Sequence, residues 1–212
     1  MVHGVPFPLN LWLVHPDPLM CDAFTQRFDG LPNVRVIRGT LEELEPHDAF
    51  VTAGNAYGIM TAGIDAAVVR LCGDDLMRRV QDRILDDYLG EQPIGTAFVI
   101  ETGLDRLPFV VHAPTMRTPG SIEKTDKVYV ATWAALLAVY RHNVASPDRK
   151  IDTVAMPAMG NGFGGVGFDE AARQMAVAYR HYLSPPHRLN WDTVTNRQLA
   201  ICYDGQRQAV RG

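Results

Sequence analysis

The chain has 212 residues, 47% of them hydrophobic and 21% charged, with a formal net charge of −4. That length can bury a sizeable core, and the composition is that of an ordinary water-soluble globular chain. The faintly acidic balance excludes a global electrostatic pull towards nucleic acid or an anionic membrane surface.

In chain order, LNLWLVH (Leu9 to His15) reads as a buried strand bounded by the turn residues PDP. Met20, Phe24 and Phe28 then recur every four residues and mark one face of a helix. VRVIRG (Val34 to Gly39) is a second strand, which makes the opening a βαβ-like unit. DAFVTAG (Asp48 to Gly54) is a third strand, and the loop AGNAYGIMTAGID leads from it into a short helix over Asp65 to Leu71, interrupted by Gly73. A longer helix starts at Asp74-Asp75, with Leu76, Val80, Ile84 and Tyr88 on one stripe, and closes at Gly90 and Pro93. GTAFVIE (Gly95 to Glu101) and LPFVVHA (Leu107 to Ala113) are strands joined by the turn TGLDR. A helix from about Asp126 to His142 follows, then an apolar strand IDTVAMPA (Ile151 to Ala158), the loop MGNGFGGVG, and a helix from Asp169 to Tyr182. SPPH (Ser184 to His187) is a surface loop, and QLAICYD (Gln198 to Asp204) reads as a last strand. Strands alternating with helices predict an α/β fold with a central mixed sheet.

Two loops carry the chemistry. In MGNGFGGVG (Met159 to Gly167), five glycines follow a buried strand and precede a helix. Such a loop exposes backbone N–H groups and a helix N-terminus, both suited to a phosphate. Gly160-x-Gly162-x-x-Gly165 has the letters of a dinucleotide fingerprint, but it lies late in the chain, and Ser184-Pro185-Pro186 stands where an acidic residue is needed. A Walker A loop is excluded because no Lys-Ser or Lys-Thr follows. The AGNAYGIMTAGID loop also joins a strand to a helix, so parallel strands would place both loops at one carboxyl edge, where open α/β sheets bind ligands. Asn55 there can meet a ribose hydroxyl pair or can close an Asx-turn on its own backbone. Asp65 can act chemically or can serve as a first-turn helix acid.

These residues resemble the macrodomain family. VTAGNAYGIMTAGIDAAV is similar to the family's NAAN loop followed by GGGVDGAI, AMPAMGNGFGGVG to its PAISTGIFGYP loop, and VVHAPTM (Val110 to Met116) to the strand VIHTVGP between them. The resemblance runs from about Val34 to Tyr182, and GIMTAGID with HAPTMR resembles a branch common in bacteria and phages. It implies a three-layer α/β/α sandwich and an ADP-ribose pocket. It implies one domain over residues 1–212, with a core at about 34–204 and a strand–helix extension at 9–30.

By the same resemblance, Asn55 meets the distal ribose, and Gly63, Ile64 and Asp65 lie against the pyrophosphate and that ribose. Gly160, Asn161, Gly162, Phe163, Gly164 and Gly165 wrap the diphosphate from the other side. Thr40 and Leu41 fall where the family's GDIT motif sits. Thr40 replaces the Asp that meets the adenine amino group, with Glu42 and Glu43 as candidate substitutes. Thr52 replaces the first Asn of NAAN, and the loop aromatic, Phe163, stands one place early, either over the ribose or in the core.

The implied activity is hydrolysis of mono-ADP-ribose from a modified macromolecule, Asp65 assisting the attacking water and Asn55 holding the ribose. The alternatives are a reader that binds ADP-ribose without turnover and an ADP-ribose 1″-phosphate phosphatase. The expected partner is ADP-ribose or an ADP-ribosylated macromolecule. A nucleic-acid substrate is compatible with this but not indicated by charge. No cofactor is expected, and the histidines and cysteines show no HExxH, CxxC or paired spacing for a metal. Arg117 reads as a surface arginine at the rim, His112 as a satisfied core or rim histidine, and Glu42-Glu43-Leu-Glu45 as a solvated turn.

Cys21, Cys72 and Cys202 are too sparse for a disulfide framework and fit a reducing cytoplasm. No run is long enough for a membrane span, and MVHGVPFPLNLWLVH lacks the charged start of a signal peptide. The arginines from Arg188 to Arg211 read as a solvated terminus, and the expected state is a monomer.

Overall fold

The structure, a computed structural model, describes residues 7–202. Six strands form one sheet in the order β2-β1-β6-β3-β5-β4. They are β1 (Asn10–His15), β2 (Val34–Arg38), β3 (Ala49–Thr52), β4 (Phe98–Leu104), β5 (Leu107–His112) and β6 (Thr153–Pro157). All neighbours pair in parallel except β4 with β5. The sheet is therefore mixed, as the alternation of strands and helices requires.

Helices cover both faces. On one lie α1 (Pro18–Arg27), α4 (Lys127–Ala145) and α5 (Phe168–Leu183), packing Met20, Phe24, Leu136, Met175 and Tyr179 against Leu11, Leu13, Val51 and Met156. On the other lie α2 (Gly63–Cys72) and α3 (Asp75–Tyr88), which bury Val68, Leu76, Val80 and Ile84 against Phe50, Val110 and Ala155. The result is the three-layer α/β/α sandwich. Local chemistry sets the ends. Asp17 caps α1 by accepting from Leu19 N at 2.9 Å with Pro18 at the first turn, and Gly73 closes α2.

The structure corrects several boundaries. β1 lies inside the sheet between β2 and β6, so residues 10–27 are part of the layered core and not an extension of it. The reason is long-range: both neighbours bond to β1 along its length, a pairing that no local pattern shows. β4 runs on through Thr102–Leu104, past a register shift, because Thr102 Oγ accepts from Leu104 N at 3.0 Å and bonds Leu107 O. Helix α2 begins at Gly63, whose φ of +57° suits glycine, with no side-chain cap to announce it.

The expected last strand is instead the end of helix α6 (Trp191–Ile201), with Tyr203 and Asp204 outside the described residues. Asn190 starts that helix by accepting from Thr193 N at 2.9 Å, and the Arg173 guanidinium caps it through Ala200 O and Ile201 O. Among the described residues no helix is long and apolar enough to cross a membrane.

Candidate functional site

β3 and β6 are adjacent and parallel, so the two small-residue loops leave the sheet side by side at its carboxyl edge. Between them opens a cleft of about 600 Å³, a size suited to a nucleotide-sized ligand. Asn55, Gly63, Ile64 and Asp65 line one wall, Gly160, Asn161, Gly162, Phe163 and Gly164 the other, and Thr40 with Leu41 the far end. Gly165 does not line it; a Cβ there would meet Glu123 and Ser121 instead.

Each wall offers backbone donors. Gly63, Ile64 and Asp65 supply the first-turn N–H groups of α2, which have no partner within a helix. On the facing wall, among the described residues, no acceptor takes the N–H of Gly162, Phe163 or Gly164. That loop is closed by Val166 N to Gly160 O at 3.2 Å and braced by Asn161 Nδ2 to Val166 O and Ile122 N to Gly164 O, both at 2.9 Å. Gly160 has φ of +72°, and a Cβ there would meet Val128 at 2.8 Å, so conformation and packing both demand glycine. The two cleft walls thus both carry N–H groups without a partner among the described residues, the kind of donor that phosphate oxygens accept from.

Asn55 is occupied. Its Oδ1 accepts from Tyr57 N at 3.1 Å and Ile59 N at 3.3 Å, and its Nδ2 donates to Ile59 O at 2.8 Å. This is the Asx-type closure of the loop; one Nδ2 hydrogen is left over for a ligand. Asp65 is 7% exposed, makes no hydrogen bond, and keeps Oδ1 fully buried without a partner. Burial pushes its carboxyl up from 3.8 to about 7, despite its place in the first turn of a helix. Phe163 stands 63% exposed on the lip of the cleft and not in the core.

Three residues the sequence pattern passes over stand behind Asp65. His112 ends β5, fully buried, with Nδ1 at 2.7 Å from Gln92 Oε1 and Nε2 without a partner, so it is not the satisfied histidine expected. Burial depresses its imidazole to about 4. Gly54 separates the two side chains: a Cβ there would lie 2.7 Å from His112 Nε2 and 3.1 Å from Asp65 Oδ2. The Gly-Asn sequence of the loop could have pointed to Gly54, but Gln92 and His112 reach the site through tertiary packing alone.

At the far end, Glu43 is used locally, its Oε2 accepting from Thr40 N at 2.8 Å, while Glu42 lines the cleft and pairs with Arg70 at 3.7 Å. His15 and Pro16, from the end of β1, complete that end. Arg117 sits on the rim, exposed and chelated by Glu91 at 2.6 and 2.9 Å. Among the described residues, no cluster of His, Cys, Asp and Glu has metal-binding geometry.

A three-layer sandwich with twin N–H loops at the carboxyl edge of its sheet defines a nucleotide-type α/β site. The family model described as Macro domain matches residues 51–175, and the chain belongs to that family. An uncharacterised protein of Aquifex aeolicus is 30% identical over 150 residues, 71% of this chain and 82% of its own. The fold is similar to the macrodomain of Mycobacterium tuberculosis DarG, at 23% identity and TM-score 0.54 over 68% of this chain and 87% of that one. A variant of the Oceanobacillus iheyensis macrodomain with ADPR aligns at 18% identity and TM-score 0.58, over 87% and 83% of the two chains.

Proposed function

We propose that this protein binds ADP-ribose in the cleft and hydrolyses mono-ADP-ribose from a modified macromolecule. Membership of the macrodomain family and the ADPR carried by the Oceanobacillus iheyensis relative support the ligand. The two loops are matched to its diphosphate, and the cleft is roomy enough for the nucleoside and distal ribose on either side. Thr40, Leu41 and Glu42 at the far end take the adenine, with the Glu42 carboxylate as acceptor for its amino group.

The observation that carries the hydrolytic reading is Asp65: a buried carboxyl, unpaired, on the cleft wall beside the phosphate donors. A group titrating at about 7 is half ionised at neutral pH and can take a proton from an attacking water. Water oxygen bonds to the ribose C1″ as the bond to the acceptor's oxygen breaks. The water's proton passes to Asp65, and the acceptor leaves as a carboxylate or takes a proton from solvent. Asn55 holds the loop that presents the ribose site, and the N–H groups fix the diphosphate so that C1″ meets the water in line.

The test is a panel of ADP-ribosylated substrates with distinct linkages, run with wild type and Asp65→Ala. At least one linkage is released by wild type and slowed by about a hundredfold or more in the variant, the lower end of what a general base contributes. Equal rates would remove Asp65 from the mechanism. Binding without release of any linkage would make the protein a reader, and inorganic phosphate from ADP-ribose 1″-phosphate would make it a phosphatase.

A further inference from the structure

Gln92 and His112 form a hydrogen-bonded pair behind the site. Gln92 is anchored twice, its backbone N donating to Ala56 O at 2.9 Å and its Nε2 donating to Thr96 O at 3.1 Å. The Thr96 carbonyl therefore decides which end of the Gln92 amide faces His112: the oxygen, at 2.7 Å from Nδ1. An acceptor at Nδ1 requires the hydrogen there, and a neutral imidazole has one N–H, so Nε2 holds a lone pair. That nitrogen is buried without a partner, and it and Asp65 Oδ2 both border the space a Cβ on Gly54 would fill, at 2.7 and 3.1 Å; the other carboxyl oxygen, Oδ1, is also buried and unpaired. An ionised carboxylate has no hydrogen to give; a carboxylic acid has one.

We propose that His112, oriented by Gln92, is a positioning residue for Asp65, offering a lone pair that the acid form of Asp65 satisfies through its O–H, directly or across one water. The relay Thr96 C=O, Gln92 amide, His112 imidazole, Asp65 carboxyl thus fixes where the proton rests. Other walls do not interfere. The Phe98 ring packs 5.4 Å from the imidazole without a donor. Besides Asp65, the titratable and charged groups lining the cleft are His15 at the end of β1, Glu42 at the far end, Arg70 on α2, and Tyr57, whose hydroxyl donates to Glu91; burial alone moves Asp65 and His112. The consequence for rate rests on the hydrolytic reading: stabilising the acid form makes the ionised form of Asp65 a stronger base, and that carboxylate takes a proton from water, which an ordinary aspartate does poorly.

The experiment follows the free protein by NMR, with Asp carboxyl carbons and His ring nitrogens labelled, and needs no turnover. In wild type His112 shows the Nδ1–H tautomer, and its Nε2 signal shifts as Asp65 titrates, a response absent in Asp65→Ala. Gln92→Glu supplies the decisive sign. With the introduced carboxyl ionised, its charge against Nδ1 favours the imidazolium and turns Nε2 into a donor, which lowers the Asp65 midpoint by about one pH unit, a tenfold change in ionisation. Simple repulsion from an added carboxylate moves that midpoint up.

An Nε2–H tautomer in wild type, an Nε2 signal blind to Asp65, or an Asp65 midpoint unchanged or raised in Gln92→Glu overturns the proposal. Should Gln92→Glu fail to fold, the wild-type tautomer and the Asp65→Ala comparison decide it. Coupling without hydrolysis would refute the enzyme reading and leave the relay standing. Hydrolysis without coupling would do the reverse.

Discussion

Replacing Asp65 with asparagine should change how stability depends on pH, and the sign is fixed by the direction of its displacement. Burial raises the carboxyl from 3.8 to about 7. Between those values the unfolded chain has released this proton while the folded chain still holds it, so wild-type stability falls as pH rises from about 4 to 7. At about 1.4 kcal/mol per pH unit the full effect is roughly 4 kcal/mol, and about 2–4 after relaxation of the cleft wall. His112 acts oppositely. Its imidazole, lowered from 6.5 to about 4, contributes stability that is present above 6.5 and lost as pH falls towards 4. The two slopes partly cancel in wild type. Asp65→Asn keeps the shape and removes one of them, so the variant gains on wild type as pH rises through this window. The assay is urea unfolding followed by tryptophan fluorescence, from about pH 4 to 8, taking the difference between the two proteins at each pH. Parallel curves, or a variant that loses on wild type as pH rises, would refute the assignment of Asp65 as a buried, raised carboxyl.

Gly54→Ala places a methyl 2.7 Å from an imidazole that Gln92 pins, and should cost about 1–3 kcal/mol in urea unfolding while weakening ADP-ribose binding. Unchanged affinity would show that Gly54 does not shape the site. Phe163→Ala, on the exposed lip, should leave stability within about 0.5 kcal/mol and weaken ADP-ribose binding by the roughly 0.5–1.5 kcal/mol of an aromatic contact. A large stability loss would place Phe163 in packing instead. Arg117→Ala removes an exposed pair with Glu91 and should change the unfolding free energy by less than about 1 kcal/mol, checked by the same denaturation.

Local patterns carried the frame of the molecule. The apolar stripe of α3 and the small-residue loops after β3 and β6 are legible because a helix face and a phosphate cradle are written in contiguous residues. What the sequence hid depends on partners distant in the chain. β1 reads as an extension until its pairing with β6, more than a hundred residues away, puts it inside the sheet. QLAICYD has the alternation of a strand, and the Arg173 guanidinium that makes it a helix end comes from α5. Asn55 could bind a ribose or close a turn by composition alone; its three hydrogen bonds to the loop show the second use, with one hydrogen spare. His112 reads as an ordinary core histidine, because its unpaired nitrogen is set by Gln92 and by the β3–β5 register that places Thr52 beside it.

The central claim is that the cleft between the two loops is an ADP-ribose site. Titration calorimetry with ADP-ribose on the wild-type protein tests it most directly. The account predicts saturable binding at one site per chain, weakened when Gly160, whose φ and packing both require glycine, becomes alanine. A folded wild-type protein that takes up no ADP-ribose at millimolar concentration would contradict it.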